Sequence, residues 1–337
     1  MGGSERAKRV DLYHIPNDDG STYRLKKFVE YQHEVPSIHY RFIGEWAKKF
    51  GYSQERYLNM CWLMSVTYNE ITCIILDYMM NALGMGEDII WEKYKERLEF
   101  GSARKYAKNC DWFVPLMKEW REITEKSPEN WLKIQQKETG EGTYLNLQKT
   151  LGRMKYVGRF SADLFIESIT YRKDFLGLRI EEPSYIDWEN GANLTSGIYN
   201  IFYEDEKASL YEKTRRLSDK EKEILAQYLR IIQQAIISQY PLQDAEITMF
   251  VGKICSFRNL FKKTRYGGFH HDRELGVIKN YEKSFPEYDF LLKECYRLRF
   301  EIFPHKFLGE IFGWDGIRKD RKKLWIQKGL TGVEEGS

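Results

Sequence analysis

The sequence predicts an all-α, or nearly all-α, protein, because helix signals recur along most of the chain and strand signals are sparse. Apolar residues repeat at intervals of three and four in several long segments. No pair of alternating apolar and polar runs is joined by a two-residue turn, as a β-hairpin would be. At 337 residues, with 42% hydrophobic and 31% charged residues, the chain is typical of a globular protein with a large core.

The first two helices with clear start signals lie in the N-terminal half. Ser53 is a predicted N-cap, and the segment after it, QERYLNMCWLMSVTYNEITCIILDYMM, is expected to form one long helix. Asp77 interrupts its apolar run, which is too short to cross a bilayer. Ser127 followed by Pro128 predicts an N-cap with proline at the first helical position.

Two more helices are predicted in the C-terminal half. Ser218 and Glu221 have the spacing of a capping box before KEILAQYLRIIQQAIISQY. Ser284 and Pro286 open a further helix, EYDFLLKECYRLRFEIF, which must stop before Pro304. Helices therefore account for most of the predicted structure.

The chain is predicted to form one helical domain over residues 25–327, with tails at 1–24 and 328–337. The glycine-bearing loop KETGEGT at 137–143 is a candidate hinge between two helical lobes. The five cysteines are odd in number and never spaced as C-x-x-C, so we expect reduced core residues. The first residues lack an apolar segment, so we expect no secretory signal, no membrane partner and a cytoplasmic location.

Several familiar chemistries are excluded by missing motifs. There is no G-x-x-x-x-G-K-[ST] loop, no G-x-G-x-x-G after a strand and no G-x-S-x-G elbow. The histidines show no H-E-x-x-H or similar spacing, so no metal site is predicted, and metal dependence is left open. Any catalysis must therefore use scattered side chains.

The segment LQKTLGRMKYVGRFSADLFIESITYR, residues 147–172, predicts a helix, a four-residue corner and a second helix. The corner comprises Tyr156, Val157, Gly158 and Arg159, and Ala162 is small enough to let the two helices approach. Backbone N–H groups at such a corner can hold a DNA phosphate. The plain alternative is an ordinary corner between packed helices.

A basic and aromatic run, CSFRNLFKKTRYGGFHHDREL, lies further along the chain. Its cations can contact consecutive phosphates, and its two glycines allow close approach of the backbone to an anion. A solvated basic surface is the alternative. The candidate phosphate-binding residues are Arg258, Lys262, Lys263, Arg265 and Arg273.

The corner resembles the helix-hairpin-helix of the DNA glycosylase superfamily, whose consensus is roughly L-x-G-V-G-x-x-[ST]-A. Val157, Gly158, Ser161 and Ala162 match this pattern, whereas Tyr156 takes the place of the first glycine. The resemblance implies a glycosylase-like fold with two helical lobes around a DNA-binding cleft.

In that superfamily an acidic residue follows the hairpin and faces the flipped nucleotide. Here SYIDWENGANLTSG supplies Asp187 and Glu189, about thirty residues on, as candidate proton acceptors. Helix capping is an equally good account of Asp187. Trp188, Tyr156 and Tyr266 are the candidate base-stacking residues.

Tyr68-Asn69, YVGRFSADL, DWENGANLTSG and CSFRNLFKKTRYGG, in this order, resemble the phage thymidine-hypermodification family over residues 37–315. This family includes the α-glutamyl/putrescinyl thymine pyrophosphorylases and the amino acid:DNA transferases. The resemblance implies a transferase in the host cytoplasm that acts on double-stranded DNA. An amino acid or polyamine co-substrate would displace pyrophosphate from activated 5-hydroxymethyluracil, with no certain cofactor.

Two other functions stay open from the sequence. One is a helix-hairpin-helix glycosylase that removes a damaged or modified base, although no lysine nucleophile follows Gly158 for a lyase reaction. The other is a DNA-binding protein that uses the same basic residues without a catalytic pocket.

Overall fold

The computed structural model describes ten stretches of the chain, and in these it contains helices and no strand, which confirms the all-α prediction for them. None of the described helices is long and apolar enough to cross a membrane. The described stretches are residues 20–35, 37–101, 112–137, 143–180, 197–198, 201–202, 218–240, 252–254, 256–257 and 269–304.

The main helices are numbered here in chain order. The segment up to residue 176 contains α1 Gly20–Glu34, α2 Ile38–Lys49, α3 Gln54–Thr67, α4 Glu70–Asn81, α5 Glu87–Tyr94, α6 Phe113–Ile123, α7 Pro128–Lys137, α8 Thr143–Leu151, α9 Arg159–Tyr171 and the short α10 Lys173–Leu176. The C-terminal half contains α11 Asp219–Gln239, α12 Phe269–Ser284 and α13 Asp289–Ile302. Single 3₁₀ turns, Lys95–Arg97 and Pro286–Tyr288, follow α5 and precede α13.

The predicted helix starts agree with these bounds in most cases. Ser53 caps α3 by accepting a hydrogen bond from the Arg56 amide at 3.2 Å, and α7 begins at Pro128. Ser218 precedes α11, and its carbonyl accepts the Lys222 amide at 3.0 Å. Ser284, however, is the last residue of α12, so the segment that follows opens at the 3₁₀ turn of Pro286.

The chain divides into two compact units. The first comprises Met1–Val35 and Pro183–Gly267, and the second comprises Pro36–Glu182 and Gly268–Ser337. The predicted hinge at 137–143 lies within the second unit, and its residues 138–142 are outside the described stretches. Helix α1 begins at Gly20, within the segment predicted to be the N-terminal tail.

The described part of the first unit packs α1 against α11. Phe28 and Tyr31 of α1 place their rings 5.2 and 5.7 Å from that of Phe257. The buried ammonium of Lys253 donates to the Val35 carbonyl. An aromatic core thus joins segments that are far apart in the sequence.

The core of the second unit is rich in tryptophan. Trp120 of α6 stacks on Trp62 of α3, with ring centroids 4.7 Å apart. It also meets Trp131 of α7 and Phe165 of α9 edge-on, each at 5.4 Å. Offset and edge-on aromatic pairs add to the stabilisation from burial alone. The described cysteines, Cys61, Cys73 and Cys295, are buried and free, as predicted.

The expectation of one long helix after Ser53 is wrong, because the chain breaks at Tyr68 and Asn69. Tyr68 adopts a left-handed backbone conformation (φ 50°, ψ 37°) that ends α3. Asn69 then caps α4, its side-chain oxygen accepting the Thr72 amide at 3.0 Å. An asparagine at the N-cap stabilises the start of a helix. Inside a helix, its side chain competes with the backbone for hydrogen bonds and so disfavours the helix.

The predicted helix–corner–helix is present as α8, residues 152–158 and α9, so the corner is seven residues long rather than four. Val157 and Ala162 are buried, and Gly158 occupies the N-cap position of α9. Tyr156 has a left-handed φ of 69° with its side chain 47% exposed. The position of the missing consensus glycine therefore keeps a backbone conformation that glycine favours.

We expect Tyr156→Gly to raise the free energy of unfolding by up to about 1 kcal/mol. A non-glycine residue in the left-handed region destabilises the folded state by about 1–2 kcal/mol, and glycine removes this strain. Glycine also increases the conformational entropy of the unfolded chain, which offsets part of the stabilisation. Urea denaturation measures the effect. Tyr156→Ala, which keeps the strain but removes the ring, is the control and should not stabilise the protein. Equal destabilisation by both variants would contradict the prediction.

Candidate functional site

The break between α3 and α4 lies beside the start of α9, and we name the surrounding residues the Tyr68 junction. The Tyr68 ring lies 4.6 Å from the His39 ring of α2 and 4.9 Å, edge-on, from the Phe160 ring in the first turn of α9. Phe160 is 47% exposed, whereas Tyr68 is 8% exposed. The complete set is His39, Tyr68, Glu70, Phe160, Arg273 and Glu274.

Two carboxyl groups and one guanidinium are buried in this junction. Arg273 of α12 donates from Nη2 to Glu274 Oε1 at 2.8 Å and to the Tyr68 carbonyl at 3.2 Å. The same nitrogen lies 3.7 Å from Glu70 Oε2. Glu70 and Glu274 are both fully buried. Such groups require partners, because an isolated charge in this surrounding is very unfavourable.

The second unit also provides a histidine partner for one of these carboxylates. His39 Nδ1 hydrogen-bonds Glu70 Oε1. A carboxylate in this position fixes the orientation of the imidazole. His39, Glu70, Arg273 and Glu274 therefore form one connected set from α2, α4 and α12.

Two carboxylate oxygens in the junction lack a hydrogen-bond donor among the described residues. They are Glu70 Oε2 and Glu274 Oε2. The two carboxyl groups lie within hydrogen-bonding reach of each other, and two ionised carboxylates cannot donate to one another. A proton held by Glu274 supplies one such donor.

Burial raises the pKa of Glu274 well above its ordinary value, and the charge of Glu70 adds to the increase, while Arg273 opposes it. The pKa of Arg273 is also raised, since the attraction of Glu274 and Glu70 outweighs its burial. Arg273 therefore stays charged, and Glu274 holds a proton at pH values where an exposed glutamate has lost it.

This shift predicts how stability depends on pH. Above the ordinary glutamate pKa the unfolded chain releases the Glu274 proton, whereas the folded protein keeps it. The free energy of unfolding then falls by about 1.4 kcal/mol per pH unit until the folded pKa is reached. Glu274→Gln cannot titrate, so this contribution should disappear.

Unfolding free energies at about pH 5 and pH 7 test the prediction. The variant should gain stability relative to the parent as pH rises. Glu87→Gln, which alters another buried glutamate of the second unit, is the control. Parallel pH profiles for the parent and Glu274→Gln would contradict the prediction.

A second polar cluster ties α8 to α9 behind the corner. Asp163 Oδ1 accepts hydrogen bonds from Tyr144 at 3.0 Å and from Gln148 at 2.8 Å. Arg159 Nε lies 3.4 Å from the other oxygen of the same carboxylate. Burial raises the pKa of Asp163 and that of Glu167, one turn further along α9. This cluster holds the two helices of the hairpin together.

The predicted site residues have different surroundings in the structure. Tyr156 is exposed, Val157 is buried, and Gly158 begins α9. Arg159 pairs with Asp163 rather than extending into solvent. Arg273 is held by carboxylates, although its Nη1 has no acceptor among the described residues. Asp187, Trp188, Glu189, Arg258, Lys262, Lys263, Arg265 and Tyr266 lie outside the described residues.

Sequence reasoning missed His39, Glu70 and Glu274 as members of a site. A signal was present at Asn69-Glu70, where two polar residues interrupt an otherwise apolar segment. The partner signal, Arg273-Glu274, is separated from it by most of the chain. Among the described residues, no three His, Cys, Asp or Glu side chains are grouped as a metal site requires.

No protein-family model, curated protein or solved structure matches this chain. The likeness to the helix-hairpin-helix superfamily therefore depends on the motifs quoted above. Of these, the YVGRFSADL segment and the Tyr68-Asn69 break are described in the structure, and they meet at the contact between Phe160 and Tyr68.

Proposed function

We propose that the protein is a DNA-base transferase of the thymidine-hypermodification type, with a helix-hairpin-helix glycosylase-like fold. One observation carries the proposal. The ring of Phe160, in the first turn after the corner, lies 4.9 Å from that of Tyr68, and the Tyr68 carbonyl accepts a hydrogen bond from Arg273, the partner of the buried Glu274. A surface suited to DNA and a group suited to proton transfer are therefore neighbours.

The first requirement of such a reaction is an extruded base. Enzymes that act on a base inside a duplex flip it out and hold it by stacking and hydrogen bonding. Tyr156 and Phe160 are each 47% exposed and flank the amides at the start of α9. Stacking of one base on an aromatic ring contributes about 1–3 kcal/mol. Trp188 and Tyr266 are further candidates for this role.

The second requirement is a leaving group that departs with its electrons. The amine nitrogen attacks the exocyclic methylene carbon of the modified uracil, a C–N bond forms, and the C–O bond to pyrophosphate breaks. The bonding electron pair goes to the pyrophosphate oxygen, whose growing charge needs cations. Arg258, Lys262, Lys263 and Arg265 are proposed to supply them.

The third requirement is a deprotonated amine, because an ammonium group has no lone pair for attack. A positioned carboxylate that accepts the proton contributes about 10²–10⁴-fold in rate. Asp187 and Glu189 were predicted for this role from the sequence. The buried carboxyls of the Tyr68 junction are a second source of such a group.

The proposal is tested on duplex DNA that carries the pyrophosphate ester of 5-hydroxymethyluracil. The protein is incubated with this DNA and a mixture of glycine, serine, glutamate and putrescine, and the nucleosides are identified by mass spectrometry. A nucleoside with a new C–N bond and loss of pyrophosphate is the expected result. Release of the free base instead would favour a glycosylase, and unchanged DNA would favour a binding protein.

A further inference from the structure

The corner before α9 presents two aromatic rings to solvent, and we name this surface the aromatic corner. Tyr156 and Phe160 are each 47% exposed, and the neighbouring cations Arg153 and Lys155 are also exposed. We propose that the aromatic corner binds unpaired nucleotides of a DNA strand, with its rings stacked on bases and its cations on phosphates. The inference rests on the proposed function, since it names single-stranded rather than fully paired DNA as the form that the transferase binds.

The charge around the aromatic corner is complementary to a phosphate backbone. Residues 143–162 contain no Asp or Glu. Their cations are Lys149, Arg153, Lys155 and Arg159. Glu119 accepts the backbone amide of Lys155 at 3.4 Å, but the side chains of Arg153 and Lys155 form no ion pair with the described part of the chain. Exposed cations beside exposed rings are the composition of surfaces that bind single strands.

Tyr156 presents its ring to solvent at a cost to its backbone conformation. Its φ is 69°, a value that a non-glycine residue adopts only where the surrounding structure imposes it. A glycine here would remove the strain and would let the backbone of an intact duplex approach closely. Tyrosine instead places a half-exposed ring at this point, with the Lys155 ammonium 5.0 Å from the ring centroid. Strained residues of this kind are concentrated at functional sites.

Phe160 is held in place by Tyr68. The two rings meet edge-on, with centroids 4.9 Å apart and an interplanar angle of 83°. Tyr68 is only 8% exposed, and its carbonyl accepts a hydrogen bond from Arg273 at 3.2 Å. Part of the Phe160 ring is therefore packed, while the rest is open to solvent. A ring that is positioned before binding loses little conformational entropy when a base stacks on it.

Both rings require bases whose faces are uncovered. In a duplex each base is stacked between its neighbours, so an aromatic side chain stacks on a base that is unpaired or extruded. Tyr156 and Phe160 are four positions apart, and chain geometry limits the distance between their Cα atoms to about 14 Å. The two rings can therefore serve nearby nucleotides of one strand. This arrangement predicts a preference for single strands over duplex.

The first test measures the affinity of the parent protein for a fluorescently labelled oligothymidine of about 12 nucleotides, within the usual length of a single-strand binding site. The comparison probes are the same strand paired with oligoadenosine, and a deoxyribose-phosphate strand of equal length without bases. Oligothymidine should bind at least about tenfold more tightly than either. The strand without bases carries the same charge, so it separates stacking from phosphate contacts. Oligothymidine binding no tighter than either comparison probe would overturn the inference.

The second test removes the rings one at a time. Tyr156→Ala and Phe160→Ala should each weaken oligothymidine binding by about tenfold, the effect of losing one stacked base. Tyr156→Phe keeps the ring and should bind like the parent. Tyr296→Ala is the matched control, because Tyr296 is also 47% exposed but lies on α13.

Circular dichroism and urea denaturation show whether each of these variants is folded. Should Phe160→Ala fail to fold, the Tyr156 variants and the strand without bases decide the question. A loss of affinity in Tyr156→Phe or Tyr296→Ala as large as that in Tyr156→Ala would overturn the inference, as would unchanged affinity in Tyr156→Ala.

The third test uses salt to separate the cations from the rings. For single strands, the logarithm of the affinity falls with the logarithm of the salt concentration, with a slope of about 0.7 per neutralised phosphate. Replacing both Arg153 and Lys155 by glutamine should therefore reduce the slope by about 1.4. Tyr156→Ala should weaken binding without changing the slope, because stacking releases no counterions. An unchanged slope in the Arg153→Gln/Lys155→Gln variant would overturn the phosphate contacts at this corner.

The transfer assay separates this inference from the proposed function. The modified strand is supplied either alone or annealed to its complement, at DNA concentrations below saturation. Transfer to the single strand should be faster by at least about tenfold, in line with its tighter binding. Transfer that is equally fast or faster on the duplex would refute only the single-strand inference. Oligothymidine binding as expected, without transfer to either form, would refute only the DNA reaction.

Discussion

Replacing Arg56 by methionine is expected to lower the free energy of unfolding by about 3 kcal/mol. Arg56 Nη2 lies 2.7 Å from Asp77 Oδ2, and the Asp77 side chain is completely buried in α4. Removing the cation from such a pair leaves an uncompensated buried charge, at a cost of about 3–5 kcal/mol. The lower value applies because Tyr52 and Asn81 still donate to Asp77, at 2.7 and 2.9 Å.

The control for this prediction is an exposed ion pair. Lys293 and Asp289 are one turn apart on α13 and are 68% and 51% exposed. Lys293→Met should therefore change stability by less than about 0.5 kcal/mol. Urea denaturation compares the two variants. Equal losses of unfolding free energy in Arg56→Met and Lys293→Met would contradict the prediction, as would an Arg56→Met variant as stable as the parent.

Gly101→Ala should destabilise the protein by about 2–3 kcal/mol and disturb the Tyr68 junction. A Cβ atom at this glycine would lie 2.2 Å from the Tyr68 carbonyl oxygen and 2.5 Å from the Tyr68 ring. The Gly101 amide also donates to the Thr67 carbonyl at 2.8 Å, so the backbone is held close. Forcing extra atoms into a packed region typically costs about 1–3 kcal/mol.

The Tyr68 carbonyl is the acceptor for Arg273, so its displacement should also change the junction. Gly86→Ala is the control, because a Cβ atom at Gly86 meets nothing within 4 Å. It should cost less than about 1 kcal/mol. Equal urea midpoints for the two alanine variants would contradict the close contact at Gly101.

The sequence by itself determined the helical class and most helix starts. Signals for a helix start act through neighbouring backbone groups, so each can be recognised within a few residues. Such signals lie at Ser53, Pro128, Ser218 and Pro286. A helix–corner–helix around Val157, Gly158 and Ala162 was also a local signal, but its extent was not, because the corner spans seven residues, 152–158, rather than the four predicted. The left-handed conformation of Tyr156 could not be predicted from the sequence, because a tyrosine disfavours the positive φ that the fold imposes on it.

Only the tertiary structure decided what Tyr68 and Arg273 do. The helical spacing of apolar residues predicted that α3 continues through Tyr68, because the same spacing is present on both sides of the break. Arg273 donates to a carbonyl 205 positions away, and no local pattern indicates which acidic residues will surround a distant cation. Local signals fix backbone hydrogen bonding within a turn or two, whereas a buried charge cluster depends on which helices pack together. The Tyr68 junction is therefore a product of packing among α2, α4, α9 and α12.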